Sequence, residues 1–256
     1  MASPGHTRKA FDSDLQYLSR TLAEMGELAE RQVKNAIEAL ATGDRETARR
    51  LVAADSAIDA TQRTIDEKVV ELIARRQPVA VDLREVLGIL RIAYELERIG
   101  DLAKNIGKRI PSIPGEHLTR RSTLGVKSMG AGIARQLGAA LDGFAHRDFI
   151  TALDVWVRDA EIDRLCRTIS RDLLACMAED SDAVMCGIHL LFCVKNLERI
   201  GDHATNIAEV VYYMVKGEAI PGERPKADLT SHSARVPWHI HGGRSKIVPS
   251  ALHGQL

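Results

Sequence analysis

Eight carboxylates in this chain are spaced for joint chemistry: Asp55 with Asp59, Glu97 with Asp101, Asp159 with Asp163, and Glu198 with Asp202. Side chains four apart leave a helix from one face, where two like charges repel by about 0.2–0.5 kcal/mol. Where two such pairs meet across neighbouring helices, four carboxylates share a small region, and that cluster calls for a cation. Hard oxygen ligands without thiolate suit iron, manganese, magnesium or calcium, with zinc admissible. Asn105 and Asn206, one turn further on, each offer an amide oxygen. Acidic pairs at this spacing are also ordinary solvated surface: random placement of 35 acids in 256 residues yields about five, and the fifth here is Glu67 with Glu71. Position rather than number distinguishes the other four.

That position is set by an internal repeat. "LERIGD" occurs at 96–101 and again at 197–202, an offset of 101 that also carries Asn105-Ile106 onto Asn206-Ile207. Upstream, an offset of 104 aligns Met25-Gly26 with Met129-Gly130, Arg31-Gln32 with Arg135-Gln136, and Asp55, Asp59 and Arg63 with Asp159, Asp163 and Arg167. The three-residue difference falls where "ARRQPVAVD" is replaced by the shorter "AEDSD", as a loop would absorb it. The four acidic pairs therefore occupy equivalent places in two copies of one unit.

Each copy reads as three helices. The first copy gives a helix from Asp14 to about Ala41, a turn at "TGD", a helix from Asp44 to about Arg76, and a stop at Pro78. "DLRE" at 82–85 has the form of a capping start for a third helix reaching about Arg109. The second copy repeats the plan with a turn at "AHRD", a break near "EDSD", and an end at Lys216-Gly217. No segment alternates with period two. Short connections make neighbouring helices antiparallel, so the predicted fold is all-α: two pseudo-symmetric antiparallel three-helix bundles, at 11–112 and 119–217, with a disordered tail over 218–256. Ile89, Ala93, Leu96, Gly100 and Ala103 form the inward stripe of the third helix. A mid-helix glycine costs about 1 kcal/mol relative to alanine, so its recurrence at Gly100 and Gly201 predicts a close approach of a neighbouring helix. Arg98 and Arg199 point about 100° around the helix from the preceding Glu and read as surface ion-pair partners.

Composition removes several function classes. Lys+Arg 35 against Asp+Glu 35 leaves a formal charge of +0, giving no bulk attraction to nucleic acid or anionic membrane. No run approaches about 18 apolar residues, and the N-terminus lacks an apolar core segment, so neither a membrane span nor a signal peptide is expected. Cys166, Cys176, Cys186 and Cys193 lack metal-knuckle spacing and read as reduced, semi-buried thiols of a cytosolic protein. The "HIH" at 239–241 has no Cys or carboxylate set to complete a coordination sphere. A nucleophilic catalytic constellation is absent from the sequence, and so is the Glu-x-x-His of di-metal carboxylate enzymes built in helical bundles. The sequence favours an adaptor over an enzyme; a purely structural adaptor, its acids holding hydrogen bonds and no metal, is the alternative.

The doubled "LERIGD" with downstream "KNI" and "TNI", the connector "ARRQPVAVDLR" and the ending "ERIGDHATNIAEVVYYMVKGE" closely resemble the PhoU family, the phosphate-specific transport system accessory proteins. The resemblance runs from about Phe11 to Lys226 and leaves the last thirty or so residues outside it. It implies a cytoplasmic protein of two three-helix bundles that often forms a homodimer. It also implies work at the inner membrane face, through protein partners: the phosphate ABC transporter and its sensor histidine kinase. There such a protein restrains the phosphate-starvation response when phosphate is plentiful and moderates uptake. Family members can carry multinuclear metal clusters, of iron, zinc or another divalent cation, on E/DxxxD motifs. The positions matching that motif are Asp55/Asp59, Glu97/Asp101, Asp159/Asp163 and Glu198/Asp202.

Overall fold

The computed structural model describes residues 4–113 and 120–225. Six long helices account for nearly all of them: α1 Pro4–Thr42, α2 Arg45–Arg76, α3 Ala80–Arg109, α4 Arg120–His146, α5 Phe149–Glu179 and α6 Ala183–Lys216, with one 3₁₀ turn at Ile110–Ser112. The two predicted bundles are present. Within them, α2 packs on α1 and α3, and α5 packs on α4 and α6; α1 meets α4, and α3 meets α6. The joined bundles thus have α2 and α5 on their outer flanks.

Local chemistry sets the helix ends. Asp44 and Asp148 occupy equivalent N-caps in extended conformation, each accepting two backbone N–H bonds at the start of α2 or α5. Thr47 and Thr151 donate their hydroxyls to the same carboxylates, and these bonds hold both aspartates below the ordinary carboxylate range. Gln77 closes α2 in the left-handed region at φ 47° before Pro78, and Gly217 closes α6 at φ 80°. Two boundaries differ from the sequence reading. Helix α1 begins ten residues before Asp14, its added turns seated by buried Phe11. Helix α3 begins at Ala80 with no side-chain cap, because its extended N-cap Val79 carries no side-chain acceptor, and the expected start at Asp82 lies inside the first turn. Of the expected disordered tail, 226–256 lie outside the described residues, whereas 218–225 form no helix yet are tied down by Arg224.

One continuous apolar core spans both bundles and includes the repeat residues Leu96, Ile99, Leu197 and Ile200. The repeated glycines do what their position suggested. A Cβ on Gly100 would stand 2.9 Å from Ile58 Cδ1, and one on Gly201 would stand 3.3 Å from Ile162 Cγ2, the equivalent isoleucine of α5. Each "LERIGD" thus admits the preceding helix at its glycine, and that approach brings the acidic pairs together.

The thiols follow their burial. Desolvation pushes Cys166 up to about 11 and Cys193 up to about 12, and raises Cys186, while Cys176 is exposed. Cys176 should therefore take up iodoacetamide at pH 8 well before the other three, which react only on unfolding; mass spectrometry of timed quenches reads the order.

Candidate functional site

In the first bundle, α2 presents Asp55 and Asp59 towards Glu97 and Asp101 of α3. Burial raises the Glu97 carboxyl above the glutamate range; the Arg98 charge opposes this, and Asp101, Asp59 and Asp55 add to it. The cluster is organised around Lys104. Its Nζ donates to Asp55 Oδ2 and, at 2.5 Å, to Asp101 Oδ1. These bonds outweigh the cost of burial and raise the ammonium well above the ordinary lysine value. Arg98 adds ion pairs to Glu97 Oε2 at 2.9 Å and Asp101 Oδ2 at 3.5 Å. Asn105 is exposed and joins none of this.

The second bundle builds its counterpart with deeper burial. Asp159, Asp163 and Glu198 are all buried, and Asp202 is half-buried. Burial raises the Glu198 carboxyl, against the pull of Lys195 and with the help of Asp202 and Asp163. The central cation is Arg224, from beyond the last helix. Its Nε donates to Asp159 Oδ2 at 2.8 Å, Nη2 to Asp202 Oδ1 at 3.0 Å and to the Asp202 carbonyl at 3.4 Å, and Nη1 to Asn206 Oδ1 at 3.2 Å. Thr205 completes the Asp159 shell, its hydroxyl donating to Oδ1 at 2.8 Å. Asn206 supplies the amide oxygen expected of it, here to a guanidinium.

All eight sequence-predicted carboxylates therefore gather as two groups of four. Among the described residues, no three His, Cys, Asp or Glu converge closely enough to hold a metal ion as they stand. Each cluster is arranged around an organic cation instead. The sequence reading missed both cations. Lys104 was visible, one turn from Asp101 in "KNI"; Arg224 lies outside the repeat and gave no periodic signal.

A further polar contact, also missed, joins the bundles beside the second cluster. His203 Nδ1 lies 2.6 Å from Glu95 Oε2, and Asn206 Nδ2 donates to the same oxygen at 3.1 Å. Burial alone would raise Glu95, but these bonds and the nearby Arg91 charge win and lower it below the glutamate range. A carboxylate with a lowered folded value contributes stability above its unfolded value and loses it as pH falls through the folded one. Glu95→Gln should cost about 1–2 kcal/mol at pH 7, and the gap in melting temperature from the unmutated protein should close below about pH 4. A gap unchanged down to pH 3 would remove the charge from this contact.

The PhoU domain family matches residues 22–110 and 126–211, one match in each bundle. The phosphate-specific transport system accessory protein PhoU homolog of Rhizobium meliloti (strain 1021) is 44% identical over 229 residues, covering 90% of this chain and 97% of that protein. The homolog of the same description from Caulobacter vibrioides (strain NA1000 / CB15N) is 42% identical over 226 residues, with 88% and 98% covered. Among solved structures, PhoU from Pseudomonas aeruginosa superposes with a TM-score of 0.78 at 38% identity, over 81% of this chain and all of that one. The phosphate transport system regulatory protein PhoU from Streptococcus pneumoniae gives 0.76 at 27% identity, over 82% and 99%.

Proposed function

Because this chain belongs to the PhoU family, we propose that it is the regulatory adaptor of its cell's phosphate-specific transport. It works at the cytoplasmic face of the membrane as a homodimer, associating with the phosphate ABC transporter and the sensor histidine kinase. It restrains the starvation response when phosphate is plentiful and moderates uptake. The observation that carries this reading is the doubled family domain, matched over nearly the full length of relatives described as accessory proteins of phosphate transport. No described helix is long and apolar enough to cross a membrane, so membrane work would go through protein partners. Catalysis forms no part of the reading.

The metal belongs to the same proposal. The donor chemistry fits a hard divalent cation: all-oxygen clusters of four carboxylates, each already bridged by a positive group between an acid of α2 or α5 and one of α3 or α6. Asp55, Asp59, Glu97 and Asp101 would hold one site, and Asp159, Asp163, Glu198 and Asp202 the other, once the resident cation gives way. A bound ion supplies cross-bracing between two helices of a bundle. The chain's own residues for that bracing are Lys104 and Arg224.

Deleting the gene should switch on a phosphate-starvation reporter in phosphate-rich medium, and the restored wild-type gene should silence it. A reporter that stays silent after deletion would remove the regulatory role.

A further inference from the structure

The first two helices of each bundle enclose a groove. The grooves repeat as the helices do, but their charge does not. Between α1 and α2 the groove measures about 320 Å³; α1 gives it Arg31, Gln32 and Asn35, and α2 gives it Thr47, Arg50 and Leu51. The offset of 104 carries Arg31, Gln32, Arg50 and Leu51 onto Arg135, Gln136, Asp154 and Val155, which line the corresponding groove between α4 and α5.

Each groove holds a buried glutamine with nothing to bond. Gln32 is 5% exposed and Gln136 6%, and neither amide atom of either has a hydrogen-bond partner among the described residues. An unpaired buried amide is costly, so each calls for a polar occupant of the groove it lines. The surrounding charge decides which. In the first groove the charged lining residues are two arginines and no acid. Arg31 meets Glu27 only at 3.5 Å, both side chains being exposed. Arg50 Nη2 donates to Thr47 Oγ1 at 3.0 Å, and the Thr47 proton goes to Asp44 Oδ2, so each guanidinium keeps further N–H donors to spend. In the second groove three acids, Asp142, Asp154 and Glu161, stand against two arginines, and Asp154 Oδ1 accepts from Arg158 Nε at 3.1 Å.

We propose that the groove between α1 and α2 binds a tetrahedral oxyanion, free or as the end group of a phosphate ester. Arg31 and Arg50 hold it through charge-assisted hydrogen bonds from planar, forked donors, and the Gln32 amide donates to it from the buried side. The groove between α4 and α5 has the same glutamine and refuses the anion, because its acids have taken the arginine charge.

Full-length ¹⁵N-labelled protein is titrated at constant ionic strength with sodium phosphate, with adenosine monophosphate and with sodium chloride, and the side-chain amides are followed by NMR. Loss of a signal in Gln32→Met or Gln136→Met assigns each glutamine. Phosphate should shift the Gln32 amide saturably and leave that of Gln136 in place, while chloride moves neither. Arg31→Gln, and Arg50→Asp, which copies the second groove into the first, should each weaken binding at least about tenfold. Both arginines are exposed, so these variants should stay folded, as unchanged melting temperatures would confirm. Response to phosphate alone assigns the free anion, and an equal or tighter response to adenosine monophosphate assigns the ester. An anion that shifts Gln32 no more than chloride does, or shifts Gln136 equally, would overturn the site, as would full affinity in both arginine variants.

Discussion

Lys104→Met is expected to destabilise the protein by about 2–3 kcal/mol. The lysine is only partly exposed, and its ammonium is the ion-pair partner of buried Asp55 between α2 and α3. Removing it leaves Asp55, Asp101 and Glu97 facing one another, with exposed Arg98 paired to the latter two. The cost comes from the charges left behind rather than from the lost contact. Adding Asp55→Asn should therefore recover more than half of the loss, a coupling that a double-mutant cycle in urea reads directly. Strictly additive losses would place the contribution of Lys104 elsewhere.

Leu96→Ala should cost about 2–5 kcal/mol. The side chain is fully buried in the first "LERIGD", on the helix that packs against α6 of the other bundle. Because the apolar core runs unbroken from one bundle into the next, the loss should lower one cooperative transition rather than split it. Thermal unfolding in a Trp238→Phe background, followed by circular dichroism and by the fluorescence of Trp156, which lies in the second bundle, checks this. Coincident curves, both shifted down, are expected; a first bundle that melts while Trp156 stays buried would show two independent units.

Much of this was readable beforehand, for physical reasons that can be named. The six helices and their hairpin order follow from 3.6-residue periodicity, Asp caps and a proline stop, all of them local. The gathering of Asp55 with Asp101 and of Asp159 with Asp202 was also readable, since a short connection makes α2 and α3, or α5 and α6, antiparallel neighbours. Gly100 and Gly201 marked where an isoleucine of the preceding helix is admitted. What periodicity cannot carry is how one bundle sits on the other, so Glu95, one residue before "LERIGD", gave no hint of its bonds to His203 and Asn206. Nor could a repeat disclose Arg224, which has no counterpart in the first copy. The difference between "KNI" and "TNI" was the one trace of it: a charge lost from the helix has to be replaced from somewhere.

The adaptor role rests most directly on contact with the transport machinery. Purification of the chromosomally encoded protein from solubilised membranes, with its companions identified by mass spectrometry, should recover components of the phosphate ABC transporter. Recovery should be greater from phosphate-replete than from phosphate-starved cells. Membranes that yield the protein without any transporter component under either condition would contradict it.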